Sequence, residues 1–112
     1  MITILLATYN SSPYIREQID SILSQTYSDW KLVVRDDLST DNTVEIIKEY
    51  IGCYPDKISM FDNHGESKRA YLNFVELLKN VESEYYMFCD HDDVWLPNKI
   101  ELSIQRMNWG IM

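Results

Sequence analysis

One stretch decides the fold of this chain, Tyr85-Tyr86-Met87-Phe88-Cys89-Asp90-His91-Asp92-Asp93-Val94-Trp95. Its first five residues have the apolar and aromatic character of a strand, and three carboxylates follow within the next four positions. Such carboxylates repel one another and form a poor core face, so a strand that ends in them needs a ligand to explain them. Hard divalent cations prefer oxygen ligands. The stretch therefore predicts a metal site that involves Asp90, Asp92 and Asp93.

Three earlier segments, residues 2–7, 30–35 and 57–61, also have the pattern of strands. Apolar residues with helical spacing begin near residues 13, 42, 67 and 97, and Asn42 with Glu45 resembles a capping box at the second of these helices. The predicted apolar faces are Ile15, Ile19, Ile22 and Leu23 in the first helix, and Val44, Ile47 and Ile51 in the second. This alternation predicts an α/β fold, an open, mainly parallel, twisted sheet with helices on both faces.

Polar loops follow all four strands, at residues 8–12, 36–41, 62–65 and 90–93. In a parallel sheet the carboxyl ends of the strands share one edge, and ligands bind there at a topological switch point. Asp36 and Asp37 can accept hydrogen bonds from a base or a sugar. Lys68 and Arg69 can bring a cation and helix N-terminal amides to a phosphate. This edge therefore suits a diphosphate ligand whose charge a metal helps to neutralise.

Composition restricts the class of binding partner and the cellular compartment expected for this chain. The 112 residues suffice for one domain with a modest core, and 46% hydrophobic with 25% charged residues is ordinary for a soluble globular protein. A net charge of −8 and an isoelectric point near 4.5 argue against nucleic acid as a partner. Cys53 and Cys89 form neither a disulfide framework nor a CxxC motif, and residues 2–7 are too short for a signal peptide or membrane span. These features favour the cytoplasm.

Residues 4–10, 22–27, 33–41 and 89–99 together resemble, in order and spacing, the amino-terminal half of a family 2 glycosyltransferase. The resemblance implies the GT-A fold, with a Rossmann-like half that binds a nucleotide sugar. The Asp-x-Asp-Asp-Val-Trp form is similar to rhamnosyltransferase-like bacterial members that build surface polysaccharide. The implied activity is an inverting transfer from a nucleotide-diphosphate sugar, with Mg²⁺ or Mn²⁺, to a saccharide or lipid-linked saccharide acceptor. The implied location is the cytoplasm, or the inner face of the membrane as a peripheral protein.

The resemblance also assigns site residues. The nucleotide-sugar site is expected at Ala7, Thr8, Tyr9, Asp36, Asp37, Arg69 and Asp90. Within it Asp37 binds the base and Arg69 approaches the diphosphate. Asp92 is the expected direct metal ligand, with Asp90 as its partner in the Asp-x-Asp pair and Asp93 close by. Two positions depart from the family pattern, because His91 stands where Gln is common and Leu38 where Gly or Asn is common.

The resemblance covers only the amino-terminal half of the family's enzymes, which binds the sugar donor. Residues 1–112 are therefore expected to form a single nucleotide-sugar-binding domain that lacks the acceptor-binding half. No catalytic residue is expected within the chain, because the general base of the family lies further along than residue 112. Such a fragment is predicted to bind nucleotide without efficient sugar transfer.

Two other interpretations use the same residues. Asp90-His91-Asp92-Asp93-Val94 also fits the DxDx[VT] pattern of haloacid-dehalogenase-like phosphatases, in which Asp90 is the nucleophile and Asp92 the acid/base in a Mg²⁺ site. A non-catalytic nucleotide-binding or assembly module is the second alternative. It predicts exposed apolar surface and hence a homodimer.

Overall fold

The computed structural model describes residues 1–61, 85–89 and 94–108, the last three by their backbone alone. Within these ranges seven elements follow one another along the chain: β1 (Ile2–Thr8), α1 (Ile15–Leu23), β2 (Trp30–Asp36), α2 (Thr43–Cys53), β3 (Ile58–Met60), β4 (Tyr85–Cys89) and α3 (Lys99–Asn108). The helix predicted from residue 67 lies outside the described residues. None of the described helices is long and apolar enough to cross a membrane.

The four described strands form one parallel sheet in the order β3-β2-β1-β4. β1 is central: it pairs with β2 from Ile2↔Trp30 to Thr8↔Asp36, and with β4 from Ile2↔Tyr85 to Leu6↔Cys89. Since β2 and β3 lie on one side of β1 and β4 on the other, the topological switch point lies between β1 and β4. The predicted open, parallel α/β sheet is confirmed.

The main core lies on the face of the sheet that carries Ile2, Ile4 and Leu6 of β1. Burial of apolar side chains from α1, α2 and the segment around α3 against this face is the main source of stability. The helical residues that form this core are Ile15, Ile19, Ile22, Ile46, Ile47 and Ile100. The opposite face of β1 is also buried at Thr3, Leu5 and Ala7. Burial on both faces explains why the first strand is an almost continuous apolar run.

The buried face of α2 agrees with the expectation at Ile47, which is fully buried, and at Ile51, which packs against the core. Val44 is only partly buried, and Thr43 and Ile46 are fully buried instead. The Thr43 hydroxyl accepts the N–H of Ser11, in the loop after β1.

Residues 95–97, which precede α3, are fixed against the end of α1 and the residues that follow it. The Trp95 backbone N–H donates to Ser21 Oγ at 3.0 Å, and the Thr26 N–H donates to the Pro97 carbonyl at 2.8 Å. Gln25 Nε2 donates to the Leu96 carbonyl at 2.7 Å, and Gln25 Oε1 accepts the Ile100 N–H at 3.0 Å. Gln25 therefore satisfies an amide in the first turn of α3, which a helix cannot satisfy internally.

Candidate functional site

The carboxyl ends of β1 and β2 are joined by the carboxylate of Asp36. Thr8 and Asp36 are register partners, and Thr8 Oγ1 donates to Asp36 Oδ1 at 2.6 Å in a buried bond. The Ser39 N–H donates to Asp36 Oδ2 at 2.8 Å and Ser39 Oγ to Oδ1 at 2.6 Å. Asp36 is only 6% exposed. Its carboxylate therefore orders the loop after β2 and ties it to β1, while its predicted contact with a ligand stays a prediction.

Asn10 links the same two loops from the other side. Its N–H donates to Ser39 Oγ at 2.8 Å, and its side-chain oxygen accepts the N–H of Thr40 at 2.8 Å and that of Asp41 at 3.4 Å. These bonds require a φ of 46° at Asn10, in the left-handed region that asparagine tolerates better than most residues. Asn10 therefore supplies both the turn and its hydrogen-bond acceptor.

Asp41 and Thr43 complete this region, which we call the β1–β2 corner (residues 8–12 and 36–43). Thr43 Oγ1 accepts the Ser11 N–H at 2.8 Å and donates to Asp41 Oδ1. Asp41 also accepts the N–H of Thr43 at 3.0 Å and that of Ser12 at 3.2 Å. These bonds, above all that from the Thr43 hydroxyl, lower the pKa of Asp41 to about 2.

The expected capping box of Asn42 and Glu45 is wrong. Asn42 is the N-cap of α2, but its side chain makes no capping hydrogen bond. Asp41, one residue earlier, accepts the Thr43 amide instead. The first turn of the helix is thereby tied to the β1–β2 corner.

Asp37 follows β2 directly and is held at its backbone and at its carboxylate. The Asp37 N–H donates to the Thr8 carbonyl at 2.8 Å. Asp37 Oδ1 lies 3.8 Å from Nη1 of Arg35, whose side chain is 1% exposed against 14% for Asp37. The neighbouring Tyr9 and Leu38 are much more exposed, at 57% and 45%. The corner therefore contains both a largely buried carboxylate, Asp37, and a solvent-exposed aromatic residue, Tyr9.

The structure brings together five of the predicted site residues in this corner or directly beside it: Ala7, Thr8, Tyr9, Asp36 and Asp37. The other predicted residues, Arg69, Asp90, Asp92 and Asp93, lie outside the described residues, as do Lys68 and His91. β4 ends at Cys89, whose register partner Leu6 lies two residues before Thr8. Within residues 1–61, 85–89 and 94–108, no group of three or more His, Cys, Asp or Glu side chains could hold a metal.

A cavity of about 340 Å³ opens after the acidic motif, and we call it the 94–103 cavity. It is lined by Val94, Trp95, Leu96, Asn98, Lys99, Leu102 and Ser103. Trp95 is 4% exposed, and its buried indole N–H finds no acceptor in the described part of the chain. Lys99 Nζ lies 4.9 Å from the centroid of this ring. Three apolar lining residues, Val94, Leu96 and Leu102, are exposed.

The sequence interpretation named none of Asn10, Arg35, Ser39 and Thr43 as site residues. One sequence feature could have marked Arg35 as a site residue, since it is a charged residue in a largely apolar strand and precedes two carboxylates. The other three are polar residues in loops, where hydrogen bonds to nearby backbone are common for these types. Their partners could not be read from the sequence.

Comparison with known proteins identifies the family. Residues 3–110 match the family model described as "Glycosyl transferase family 2". The dTDP-rhamnosyl transferase RfbG of Shigella flexneri is 39% identical over 102 residues, which are 88% of this chain and 35% of the relative. Because the chain spans about a third of that relative, its similarity concerns one part of a longer enzyme.

Solved structures agree with this match. TarS 1–349 of S. aureus in complex with UDP has a TM-score of 0.76 and 27% identity, over 96% of this chain and 32% of its own. The mannosyltransferase PcManGT of Pyrobaculum calidifontis, in complex with GDP-Man and Mn²⁺, has a TM-score of 0.78 and 27% identity, over 91% and 30%. These matches do not support the haloacid-dehalogenase-like interpretation. The chain has the GT-A fold and belongs to glycosyl transferase family 2.

Proposed function

We propose that this chain binds the donor of a glycosyl transfer, a nucleotide-diphosphate sugar, as part of an enzyme that makes cell-surface polysaccharide. The β1–β2 corner carries the proposal, because the bonds of Asp36 to Thr8 and Ser39 order the loop after β2, and the Asp37 N–H is bonded to the Thr8 carbonyl at the edge of the sheet. Order of this kind lowers the entropy that binding would otherwise cost. The UDP bound by TarS and the dTDP-rhamnosyl specificity in the name of RfbG support a nucleotide donor.

Within this site Asp37 is proposed to accept hydrogen bonds from the base. Tyr9, with 57% of its surface exposed, offers an aromatic face beside it. Ala7 and Thr8 line the pocket through β1, and Asp36 shapes it through its bonds to Thr8 and Ser39. The nucleoside would therefore lie across the carboxyl ends of β1 and β2.

The diphosphate and metal are proposed to lie toward β4. Asp92, with Asp90 and Asp93, would hold Mg²⁺ or Mn²⁺, since three carboxylates form the oxygen donor set that such hard cations take. The Mn²⁺ present with PcManGT supports this choice. The bound cation would neutralise charge on the departing diphosphate. Arg69 would add a cation near the same phosphates.

The finer features of the reaction are also proposals. Transfer would invert the anomeric centre, and the acceptor would be a saccharide or a lipid-linked saccharide. The general base for the acceptor hydroxyl is not assigned to residues 1–112, so we propose that the isolated chain binds the donor without efficient transfer. Its proposed place is the cytoplasm or the inner face of the membrane.

Calorimetry with UDP, TDP, GDP and CDP, each with Mn²⁺ and with a chelator, tests the proposed site. Asp37→Ala should weaken binding of the preferred nucleotide about tenfold or more, with or without metal, because a buried hydrogen-bond partner is lost. Asp92→Asn should remove only the metal-dependent part of the affinity.

The matched control is Asp56→Ala, which removes an exposed carboxylate from the turn before β3, at the amino ends of the strands. It should bind like the parent. Parental affinity in both Asp37→Ala and Asp92→Asn would contradict the site assignment.

A further inference from the structure

Leu38 has a backbone conformation that its own side chain does not justify. Its φ of 61° lies in the left-handed region, which asparagine tolerates better than leucine. Asn10, with a φ of 46°, compensates for a similar conformation, because its side-chain oxygen accepts backbone N–H groups. A leucine side chain has no such group, and Leu38 is 45% exposed, so burial offsets the strain only in part. Residues in strained backbone conformations cluster at ligand-binding sites, which makes Leu38 a candidate binding residue.

The backbone on both sides of Leu38 is held by hydrogen bonds. Before it, the Asp37 N–H donates to the Thr8 carbonyl at 2.8 Å. After it, the Ser39 N–H donates to Asp36 Oδ2 at 2.8 Å and Ser39 Oγ donates to Asp36 Oδ1 at 2.6 Å. These bonds impose the conformation of Leu38, so its Cβ leaves the backbone in one defined direction. The loop therefore holds an apolar side chain in a fixed place at the carboxyl ends of β1 and β2.

A pyrimidine base has only one edge that suits an apolar side chain. Its ring nitrogen N3 and the groups at C2 and C4 are polar, and contact with carbon atoms would leave them buried without a hydrogen-bond partner. The ring faces and the C5–C6 edge carry no such groups. Tyr9 is the residue proposed to meet a face of the ring. The C5–C6 edge is therefore the part of a pyrimidine that Leu38 can contact without loss.

This edge is where thymine and uracil differ. The two bases have the same hydrogen-bonding groups, so a carboxylate such as that of Asp37 cannot distinguish them by its hydrogen bonds. Thymine carries one additional methyl group, at C5. An apolar side chain beside C5 removes this methyl group from water, which favours thymine.

We propose that Leu38 is a specificity-determining residue, which contacts the C5–C6 edge of a pyrimidine base and favours thymine over uracil by burying the methyl group of thymine. The inference rests on the proposed function, in which the nucleoside lies across the carboxyl ends of β1 and β2. It deepens that function, because it names the class of donor, a thymidine diphosphate sugar, and the residue that selects it.

The test compares the dissociation constants of dTDP and dUDP, measured by calorimetry with Mn²⁺. These ligands have the same sugar and differ only by the methyl group, so the ratio of their constants isolates its contribution. The parent should bind dTDP about fourfold or more tightly than dUDP, since burial of one methyl group has an effect of this size. Leu38→Ala should reduce the ratio to about twofold or less, because it removes the carbon atoms beyond Cβ that would cover the methyl group.

Two further variants separate apolar contact from backbone strain. Leu38→Met keeps an apolar side chain of similar volume and should keep a preference for dTDP of about threefold or more. Leu38→Asn suits the left-handed conformation but places a polar group beside the base, so its ratio should be about twofold or less.

Leu96→Ala is the matched control. Leu96 is an exposed leucine whose carbonyl accepts a hydrogen bond from Gln25, in the segment that precedes β2, whereas Leu38 follows that strand. The variant therefore removes a similar apolar side chain away from the β1–β2 corner. It should keep the parental ratio.

A Leu38 that does not contact the base predicts a different result. Leu38→Ala would then keep the parental ratio, which would overturn the inference, as would a ratio in Leu38→Met as low as that in Leu38→Ala. A parent that does not prefer dTDP to dUDP, or that binds only GDP, would also overturn it, although the proposed function would survive. A parent that binds no nucleoside diphosphate would overturn both. If circular dichroism shows that Leu38→Ala is unfolded, Leu38→Asn decides: a parental ratio overturns the inference and a reduced ratio supports it.

Discussion

The β1–β2 corner and the 94–103 cavity differ in how their polar groups are satisfied. In the corner, Asp36, Asn10 and Thr43 each connect two loops by hydrogen bonds. In the cavity, the buried indole N–H of Trp95 has no acceptor among the described residues, and Val94, Leu96 and Leu102 are exposed. The corner proposed to bind the nucleoside is thus held together by hydrogen bonds among its own loops. The cavity region is held by packing, by the bond that the Trp95 N–H donates to Ser21 Oγ and by the bond that Gln25 Nε2 donates to the Leu96 carbonyl.

The largest expected change in the free energy of unfolding is that caused by replacing Asp36. Asp36→Ala should lower the free energy of unfolding by about 3 kcal/mol, because the Thr8 hydroxyl and both donors of Ser39 lose a buried, charged acceptor. Urea denaturation measures this change. Asp56→Ala, at an exposed site, should change stability by less than about 0.5 kcal/mol. A loss below about 1 kcal/mol for Asp36→Ala would break the contrast between the two regions.

A smaller effect of opposite sign is expected at Leu38. This residue has a φ of 61°, which brings its Cβ into conflict with the backbone, and it is 45% exposed. Leu38→Gly should therefore raise the free energy of unfolding by about 1 kcal/mol. Leu38→Ala is the control, since it removes the same exposed surface but keeps the Cβ, and it should give no gain. Equal stabilisation by both variants would show that backbone strain is not the cause.

The smallest effect is expected at Trp95. Trp95→Phe removes an N–H that lacks an acceptor but keeps an aromatic ring in the core, so gain and loss should cancel to within about 1 kcal/mol. Trp30→Phe is the comparison, because Trp30 is equally buried and the contact of its ring with Lys57 Nζ, at 4.1 Å, is closer than that of Trp95 with Lys99 Nζ, at 4.9 Å. It should lose more stability in the same denaturant titration. A larger loss at Trp95 than at Trp30 would mean that the indole N–H of Trp95 is bonded after all.

Most of the fold followed from periodicity, because each strand and helix carries its own apolar pattern. The run at residues 2–7 predicted β1 to within one residue, and the spacing of Ile15, Ile19 and Ile22 predicted the buried face of α1. The burial of Thr43 at the start of α2 was not predicted, since the partner of its hydroxyl, Ser11, lies in a loop distant in sequence.

The site was predictable only in part, because contacts between residues of different loops cannot be read from local sequence patterns. Parallel topology was enough to bring Thr8 beside Asp36, because strands that alternate with helices share one carboxyl edge. The bonds from Asn10 to Ser39 and Thr40 depend on how two loops distant in sequence meet. The burial of Arg35 reverses the usual expectation for a charged side chain. The resemblance did mark Leu38 as unusual, and its positive φ gives the physical reason.

The central place of β1 has a consequence for how the chain is made. Both of its neighbours in the sheet, Trp30–Asp36 and Tyr85–Cys89, follow it in the chain, so β1 leaves the ribosome before either of them. Until β4 has been made, this apolar strand has at least one unpaired edge, and parallel pairing between segments far apart in sequence is slow. A chaperone that captures extended hydrophobic segments on nascent chains would thus find a target in β1.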